Sequence, residues 1–157
     1  MADWRSYDAI AERYDQVWSA GFEVVARHIR AIVAPKPHHR IFDVGTGTGI
    51  VLRMLTEITD ADSFAVGSDR STAMLRRART HAPCLHVVVA DAAALPVSRA
   101  QLRCRDYQLR SLTCFQLSKG ALAEALRVLM PGGTVAVSNW APRPNRTARR
   151  GAHGWLA

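Results

Sequence analysis

The sequence of 157 residues has no long apolar run. No stretch approaches the roughly 20 consecutive apolar residues that a membrane span requires. The N-terminus, with Asp3 and Asp8, also lacks the basic region followed by an apolar region that marks a signal peptide. With 48% apolar and 22% charged residues, the composition is typical of one globular domain. We therefore predict a cytoplasmic protein without a membrane span.

Cysteine is also scarce. The three cysteines are Cys84, Cys104 and Cys114, and no Cys-x-x-Cys pair occurs. An odd number without that spacing indicates neither a disulfide framework nor a zinc site, and buried thiols are the ordinary interpretation. We expect neither a disulfide bond nor a metal site.

Acidic residues are nearly absent from the last 60 residues. Residues 98–157 hold 10 Lys or Arg and 2 Asp or Glu, whereas residues 1–97 hold 11 of each, so the last part accounts for the whole net charge of +8. Residues 141–157 are rich in Arg, Pro and Gly and show no apolar periodicity. We predict a disordered tail there, after a domain of residues 1–140. Without a recognition motif, this basic tail does not indicate nucleic-acid binding.

The most informative stretch runs from Ile41 to Leu52. A short apolar run ends at Gly45, Gly47 and Gly49, and an apolar-periodic segment follows directly. This order predicts a strand, a tight turn and a helix. Because glycine has no Cβ atom, the turn can take positive φ and let a ligand approach closely, while the N–H groups of the opening helix face that ligand. Such a turn binds an anion or a polar edge.

Two later apolar runs each end at a carboxylate. Residues 63–68 are followed by Asp69, and residues 85–90 are followed by Asp91. Because the carboxyl ends of neighbouring parallel strands open onto one crevice, we expect both carboxylates beside the glycine turn. A carboxylate in that place can accept hydrogen bonds from both hydroxyls of a ribose. The alternative is that Asp69 only caps the helix that opens at Ser71.

The motif Asp-x-Gly-x-Gly-x-Gly, from Asp43 to Gly49, resembles the first motif of the class I methyltransferases that use S-adenosylmethionine (SAM). The dinucleotide fingerprint Gly-x-Gly-x-x-Gly fits less well because its last position is Ile50, so binding of a nicotinamide or flavin cofactor is the second interpretation. The segment from Tyr7 to Asp15 resembles the leader helix of small-molecule methyltransferases of the ubiquinone/menaquinone-biosynthesis type. A later Leu-x-Pro-Gly-Gly before a β-branched run resembles the entry to the fifth strand of the same family.

The resemblance implies a SAM site at this edge of the sheet. Asp43 would help to place the methionine amino group, Asp69 would bind the ribose, and Asp91 with Ala92 would bind the adenine. The cofactor-binding candidates are Asp43, Gly45, Thr46, Gly47, Gly49, Asp69, Arg70, Met74, Asp91 and Ala92. No catalytic base is named, because alignment of an activated methyl group with a nucleophile requires little acid–base machinery.

Two of the implied contacts have an ordinary packing alternative. Met74 would pack its thioether on the adenine, but a core methionine explains it nearly as well. Tyr14 of the leader helix would close over the cofactor, but packing along one helix face explains it equally well.

The fold that the resemblance implies is α/β: a Rossmann-like, doubly wound, mostly parallel sheet with helices on both faces and without the C-terminal strands of the family. Within residues 4–33 we expect two amphipathic helices separated at Gly21. The fourth strand is expected in residues 97–110, yet four arginines occur there, which does not suit a strand buried on both faces. One hypothesis is a shifted reading frame across residues 97–110; natural divergence is the alternative.

The function predicted from the sequence is SAM-dependent methyl transfer to a small-molecule acceptor. The alternative is a non-catalytic remnant that at most binds SAM, because the fourth strand is unusual and the later strands of the family are missing. A fifth strand left at the edge of the sheet would also allow pairing between two copies of the chain.

Overall fold

The computed structural model describes residues 5–57, 64–97, 109–115 and 118–138. The helices and strands of this part of the chain follow one another in a fixed order. They are α1 (Arg5–Val33), β1 (Arg40–Val44), α2 (Ile50–Thr56), β2 (Phe64–Asp69), α3 (Thr72–His81), β3 (His86–Val89), β4 (Leu109–Phe115), α4 (Lys119–Val128) and β5 (Leu129–Ser138).

The strands form one parallel sheet with the order β3-β2-β1-β4-β5. The chain runs outward from β1 to β3 and then returns to the other side of β1 to form β4. The carboxyl ends of β1 and β4 therefore flank the point at which the strand order reverses, where ligands bind in folds of this kind. The predicted doubly wound parallel sheet is confirmed.

Apolar side chains cover both faces of the sheet. On one face, α1 and α2 pack Ile29, Leu52 and Leu55 against strand residues such as Ile41. On the other face, α4 packs Ala125 and Val128 against β1, together with Leu95 from the segment after β3. Burial on both faces explains why the strands are short, nearly continuous apolar runs. The sheet is thus a rigid base that fixes its carboxyl edge.

The first helix is continuous, so the prediction of two helices separated at Gly21 is wrong. Gly21 lies in the middle of α1, is exposed, and has no atom within 4 Å of where a Cβ would be. A glycine inside a helix costs about 1 kcal/mol, which lowers helix stability but does not interrupt the hydrogen bonds. The buried residues Ala11, Ala26, Ile29 and Val33 stabilise the helix on both sides of that position.

The fourth strand lies later in the chain than expected. It spans Leu109–Phe115 and pairs with β1, with Asp43 opposite Thr113, so its predicted position within residues 97–110 is wrong. Of the four arginines that argued against a strand, only Arg110 belongs to β4. Residues 111–114, which include no charged residue, instead take the positions opposite β1, and Thr113 among them is buried. Residues 98–108 lie outside the described residues, and the reading-frame hypothesis stays a prediction.

The predicted turn at Pro-Gly-Gly is an irregularity within β5. Pairing between β4 and β5 shifts from Leu109 opposite Leu129 to Ser111 opposite Thr134, and Gly132 has a φ of 75°. Glycine takes this φ without strain, which lets β5 bulge and then continue. Among the described strands, β5 forms one edge of the sheet; residues 139–157, including the predicted tail, lie outside the described residues.

Two expectations from composition can be compared with the described residues. None of the described helices is long and apolar enough to cross a membrane, and no described group of three or more His, Cys, Asp or Glu could hold a metal ion. Cys84 is exposed between α3 and β3, so the expectation of a buried thiol is wrong at this position. Cys104 and the side chain of Cys114 are outside the described part.

Candidate cofactor-binding site

The turn after β1 has the backbone shape that its glycines allow. The φ angles are 73° at Gly45, 56° at Gly47 and 81° at Gly49, all in the left-handed region. A Cβ added at Gly49 would lie 3.0 Å from a side-chain atom of Leu85 and 3.1 Å from Ala78, so this glycine permits close packing. A Cβ at Gly47 would meet no atom within 4 Å. The turn is therefore open to a ligand at Gly47.

The neighbouring strand β2 holds this turn in place. The N–H groups of Gly45 and Thr46 both donate to the carbonyl oxygen of Ser68, at 2.8 Å, and the N–H of Gly47 donates to the carboxylate of Asp69 at 2.9 Å. These bonds fix three consecutive residues to the end of β2. The turn is consequently preorganised without a ligand.

Asp43 lies beneath the turn and is almost completely buried, at 4% exposure. Its two oxygens accept hydrogen bonds from the hydroxyls of Thr46 at 2.7 Å and Thr113 at 2.5 Å. The N–H of Leu52, in the first turn of α2, also bonds to this carboxylate, so that N–H does not face a ligand as predicted for the opening helix. Burial raises the pKa of Asp43 to about 6, although these hydrogen bonds oppose the shift.

Asp69, at the end of β2, joins the turn to the following helix. One carboxylate oxygen accepts from Gly47 and the other accepts from the N–H of Ser71 at 2.8 Å. Ser71 itself caps α3, because its hydroxyl accepts from the N–H of Met74 at 3.1 Å. Burial raises the pKa of Asp69, and its backbone donors act in the opposite direction. The alternative that Asp69 caps α3 is therefore wrong, because Ser71 is the N-cap. One oxygen of Asp69 holds the N–H of that N-cap residue, and the other holds the glycine turn.

Asp91 follows β3 at the same edge, but it is more exposed. Its carboxylate lies 3.4 Å from the guanidinium of Arg70 and accepts from the N–H of Ala93 at 2.9 Å. Both side chains of this ion pair are about half exposed, so the pair contributes little to stability. Ala92 packs against the core on the α4 face. The end of β3 is tied to β2, because the N–H of Ala90 donates to the carbonyl oxygen of Asp69.

Met74 lies in the core, with 1% of its surface exposed. A side chain that packs on a bound adenine needs exposed surface when the ligand is absent. The burial of Met74 therefore favours the core alternative, and we leave this residue out of the site proposed below.

Aromatic residues of α1 cover the glycine turn. Tyr14 stacks on Phe22 with ring centroids 5.8 Å apart and meets Tyr7 edge-on at 6.0 Å. Burial, together with the nearby Tyr7, Asp69 and Asp15, raises the pKa of Tyr14 to about 12, so its hydroxyl stays protonated at neutral pH. Tyr14 therefore lies beside the glycine turn and also packs along one face of α1, so both interpretations of this residue stay predictions.

A small cavity of about 50 Å³ lies between α1 and the turn. Backbone and polar groups from Asp43 to Thr48 form one wall, and Tyr14, Phe22 and Ile29 form the apolar wall. Asp69 and Asp91 do not line this cavity; they lie along the open edge next to it. The candidate residues therefore share one edge of the sheet but divide into an enclosed part and an exposed part.

Sequence reasoning missed how α1 is anchored. One carboxylate oxygen of Asp8 accepts from the hydroxyl of Ser71 at 2.7 Å and from the N–H of Ala73 at 3.1 Å. Asp15 bonds to His81 at 2.5 Å and to Arg77 at 3.3 Å. The only signal in the sequence is the seven-residue spacing of the two acids, which places them on one face of a helix.

The parallel sheet with a switch point at β1 and β4, a glycine turn after β1 and a carboxylate at the end of β2 define a class I, Rossmann-like methyltransferase fold. Residues 41–133 match a family model described as a methyltransferase domain. The chain therefore belongs to this methyltransferase family.

Curated relatives agree with this assignment. The chain is 36% identical over 143 residues to a malonyl-[acyl-carrier protein] O-methyltransferase of Halorhodospira halophila, covering 88% of this chain and 48% of the relative. It is 32% identical over 152 residues to the ubiquinone/menaquinone biosynthesis C-methyltransferase UbiE of Ruegeria sp., covering 88% and 59%. The chain thus spans about half the length of the curated relatives it matches.

A solved structure has a similar fold. It is a chain from the complex between the Haloferax volcanii Trm112 methyltransferase activator and a methyltransferase. The TM-score is 0.69 with 24% sequence identity, over 83% of this chain and 58% of that chain. This likeness supports the fold that the sheet order defines.

Proposed function

We propose that this chain binds SAM and transfers its methyl group to a small-molecule acceptor. The observation that carries the proposal is the preorganised turn, which is open at Gly47 and held from both sides by Asp43 and Asp69. A site that needs no reorganisation binds its ligand at a lower entropic cost. The family membership indicates which ligand this edge accepts.

The residues present fit SAM, with one part of the site for its amino-acid end and another for its nucleoside. The cavity beside the glycine turn, of about 50 Å³, is too small for the whole of SAM, so the nucleoside would lie along the open edge. There, Asp69 accepts hydrogen bonds from the backbone N–H groups of Gly47, Ser71 and Arg70, and a carboxylate has about four lone-pair positions, so capacity remains for one ribose hydroxyl. Asp91 and Ala92 would meet the adenine. The ring of Tyr14 and the nearby carboxylates favour the positive charge of a sulfonium.

The sulfonium supplies an already activated methyl group when SAM is bound. The chain itself has to align that methyl group with a nucleophilic atom and exclude water from the reaction. The apolar wall of Phe22 and Ile29 beside the turn would exclude water. We name no catalytic base among the described residues, and an acceptor of low molecular weight accords with the small-molecule type of the relatives.

A second candidate is a remnant that binds SAM without turnover. The chain spans about half the length of its curated relatives, which favours this candidate. Titration calorimetry with SAM and with S-adenosylhomocysteine, followed by assays with radiolabelled SAM and small acceptors, separates the two functions. We expect heat with both nucleosides. No heat at high protein concentration refutes the proposed function, and binding without transfer to any acceptor supports the remnant.

We also infer a cytoplasmic protein that does not bind nucleic acid and that pairs through the β5 edge. An edge strand offers unpaired N–H and C=O groups, which is how strands of two copies associate. Sedimentation velocity tests the pairing: a concentration-dependent dimer is expected, and a monomer at all concentrations contradicts it. A mobility-shift assay with duplex DNA and RNA at physiological salt should show no complex.

A further inference from the structure

Thr113 lies in β4, directly opposite Asp43 in β1. Its side chain is completely buried, and its hydroxyl donates to a carboxylate oxygen of Asp43 at 2.5 Å. Thr113 does not line the cavity beside the glycine turn. Any effect of this residue on a ligand must therefore pass through Asp43.

Asp43 joins several elements of the site. It accepts hydrogen bonds from Thr113 in β4, from Thr46 in the turn, and from the N–H of Leu52 in α2. A buried carboxylate tolerates its charge only when its oxygens are hydrogen-bonded, and removal of one donor leaves an unsatisfied charged group. Without Thr113, the carboxylate must rotate toward its remaining donors or become protonated. Either change alters the bond that holds Thr46.

We propose that Thr113 is a positioning residue for SAM binding: its hydroxyl fixes the carboxylate of Asp43, which holds Thr46 and thereby the open turn at Gly47. This inference rests on the proposed function, because SAM is the ligand whose affinity reports the shape of the turn. It places a determinant of the cofactor site in β4, a strand with no residue among the cofactor-binding candidates.

The hydroxyl also affects how the site responds to pH. The groups around Asp43 are Asp69 from β2, Tyr14 from α1, the N–H of Leu52 from α2 and Thr113 from β4. Asp69 disfavours the charged form of Asp43, whereas the hydroxyl of Thr113 favours it. Loss of that hydroxyl therefore raises the pKa of Asp43 further.

The experiment compares SAM affinity from pH 5 to pH 8 for the wild type, Thr113→Val, Thr113→Ser and a control, Thr80→Val. Valine has nearly the shape of threonine and lacks only the hydroxyl. Thr80 lies at an exposed position in α3, where its hydroxyl donates to the carbonyl oxygen of Arg76. We expect Thr113→Val to bind SAM about tenfold more weakly, the effect of one hydrogen bond to a buried charge.

The pH profile and the serine variant separate positioning from packing. In Thr113→Val, the fall in affinity on acidification should begin at a higher pH than in the wild type, and Thr113→Ser should restore the wild-type profile. The inference is overturned if Thr113→Val behaves like Thr80→Val at every pH. It is also overturned if Thr113→Ser, which keeps the hydroxyl, shows the same weakened binding and the same shifted profile as Thr113→Val, since the hydroxyl would then not be the cause.

A measurement without SAM keeps the inference testable if the wild type does not bind the cofactor. A double-mutant cycle on the free energy of unfolding combines Thr113→Val with Asp43→Ala, because asparagine would keep an oxygen that can accept from Thr113. Coupling between the two positions supports the hydrogen bond as the source of the effect, and additive changes contradict it. Absence of SAM binding by the wild type with clear coupling in the cycle refutes the proposed function alone.

Discussion

The buried carboxylate of Asp43 gives the sharpest test of the structure. Burial raises its pKa from 3.8 to about 6. Because the folded state holds the proton more tightly than the unfolded state, this group favours folding most below pH 4 and progressively less as the pH rises through about 6. The difference between 3.8 and about 6, at about 1.4 kcal/mol per pH unit, corresponds to about 3 kcal/mol of the free energy of unfolding.

The variant Asp43→Asn keeps the shape of the side chain and removes the ionisation. We expect the free energy of unfolding of the wild type, relative to this variant, to fall by about 2 kcal/mol between pH 4 and pH 6 and to level off above pH 7. Urea denaturation at several pH values measures both proteins, and Glu12→Gln, at an exposed carboxylate, is the control. A difference between the wild type and Asp43→Asn that does not change with pH would refute the reasoning.

Three further changes test other parts of the site. Ser68→Ala should raise the free energy of unfolding by about 1 kcal/mol, because the buried hydroxyl of Ser68 has no hydrogen-bond partner among the described residues. A loss of stability in urea denaturation contradicts this. Asp15→Asn should lower the free energy of unfolding by about 1 kcal/mol near pH 7. Burial raises the pKa of Asp15, but its hydrogen bonds to Thr48 and His81 lower it further, so the difference between the two proteins should vanish as acid protonates Asp15. A difference that persists in acid argues against these contacts. Asp69→Ala should weaken the binding free energy of SAM, measured by calorimetry, by about 2 kcal/mol. An unchanged affinity removes Asp69 from the site.

Sequence reasoning succeeded where backbone geometry decides the outcome. The glycines at alternate positions predicted a left-handed turn, and the carboxylates at strand ends predicted groups along one edge. Both depend on local rules: glycine alone takes positive φ freely, and parallel strands end on the same side of a sheet. These rules do not involve the rest of the chain.

Sequence reasoning failed where tertiary contacts override local preference. Gly21 does not end α1, because the helix is stabilised by packing on both sides of it. The fourth strand was predicted within residues 97–110, where four arginines occur, but β4 forms at Leu109–Phe115. The contacts of Asp8 and Asp15 with Ser71 and α3 could not be predicted either, because those partners lie 62 or more residues later in the chain.

The attachment of α1 to α3 has a consequence for synthesis on the ribosome. The chain emerges from its N-terminus, so α1 is exposed well before Ser71, Arg77 and His81 exist to receive its acidic side chains. The bonds that attach α1 to α3 therefore form only after α3 has left the exit tunnel. During that delay, β1 and α2, which emerge before α3, can already bury apolar residues of α1 such as Ile29.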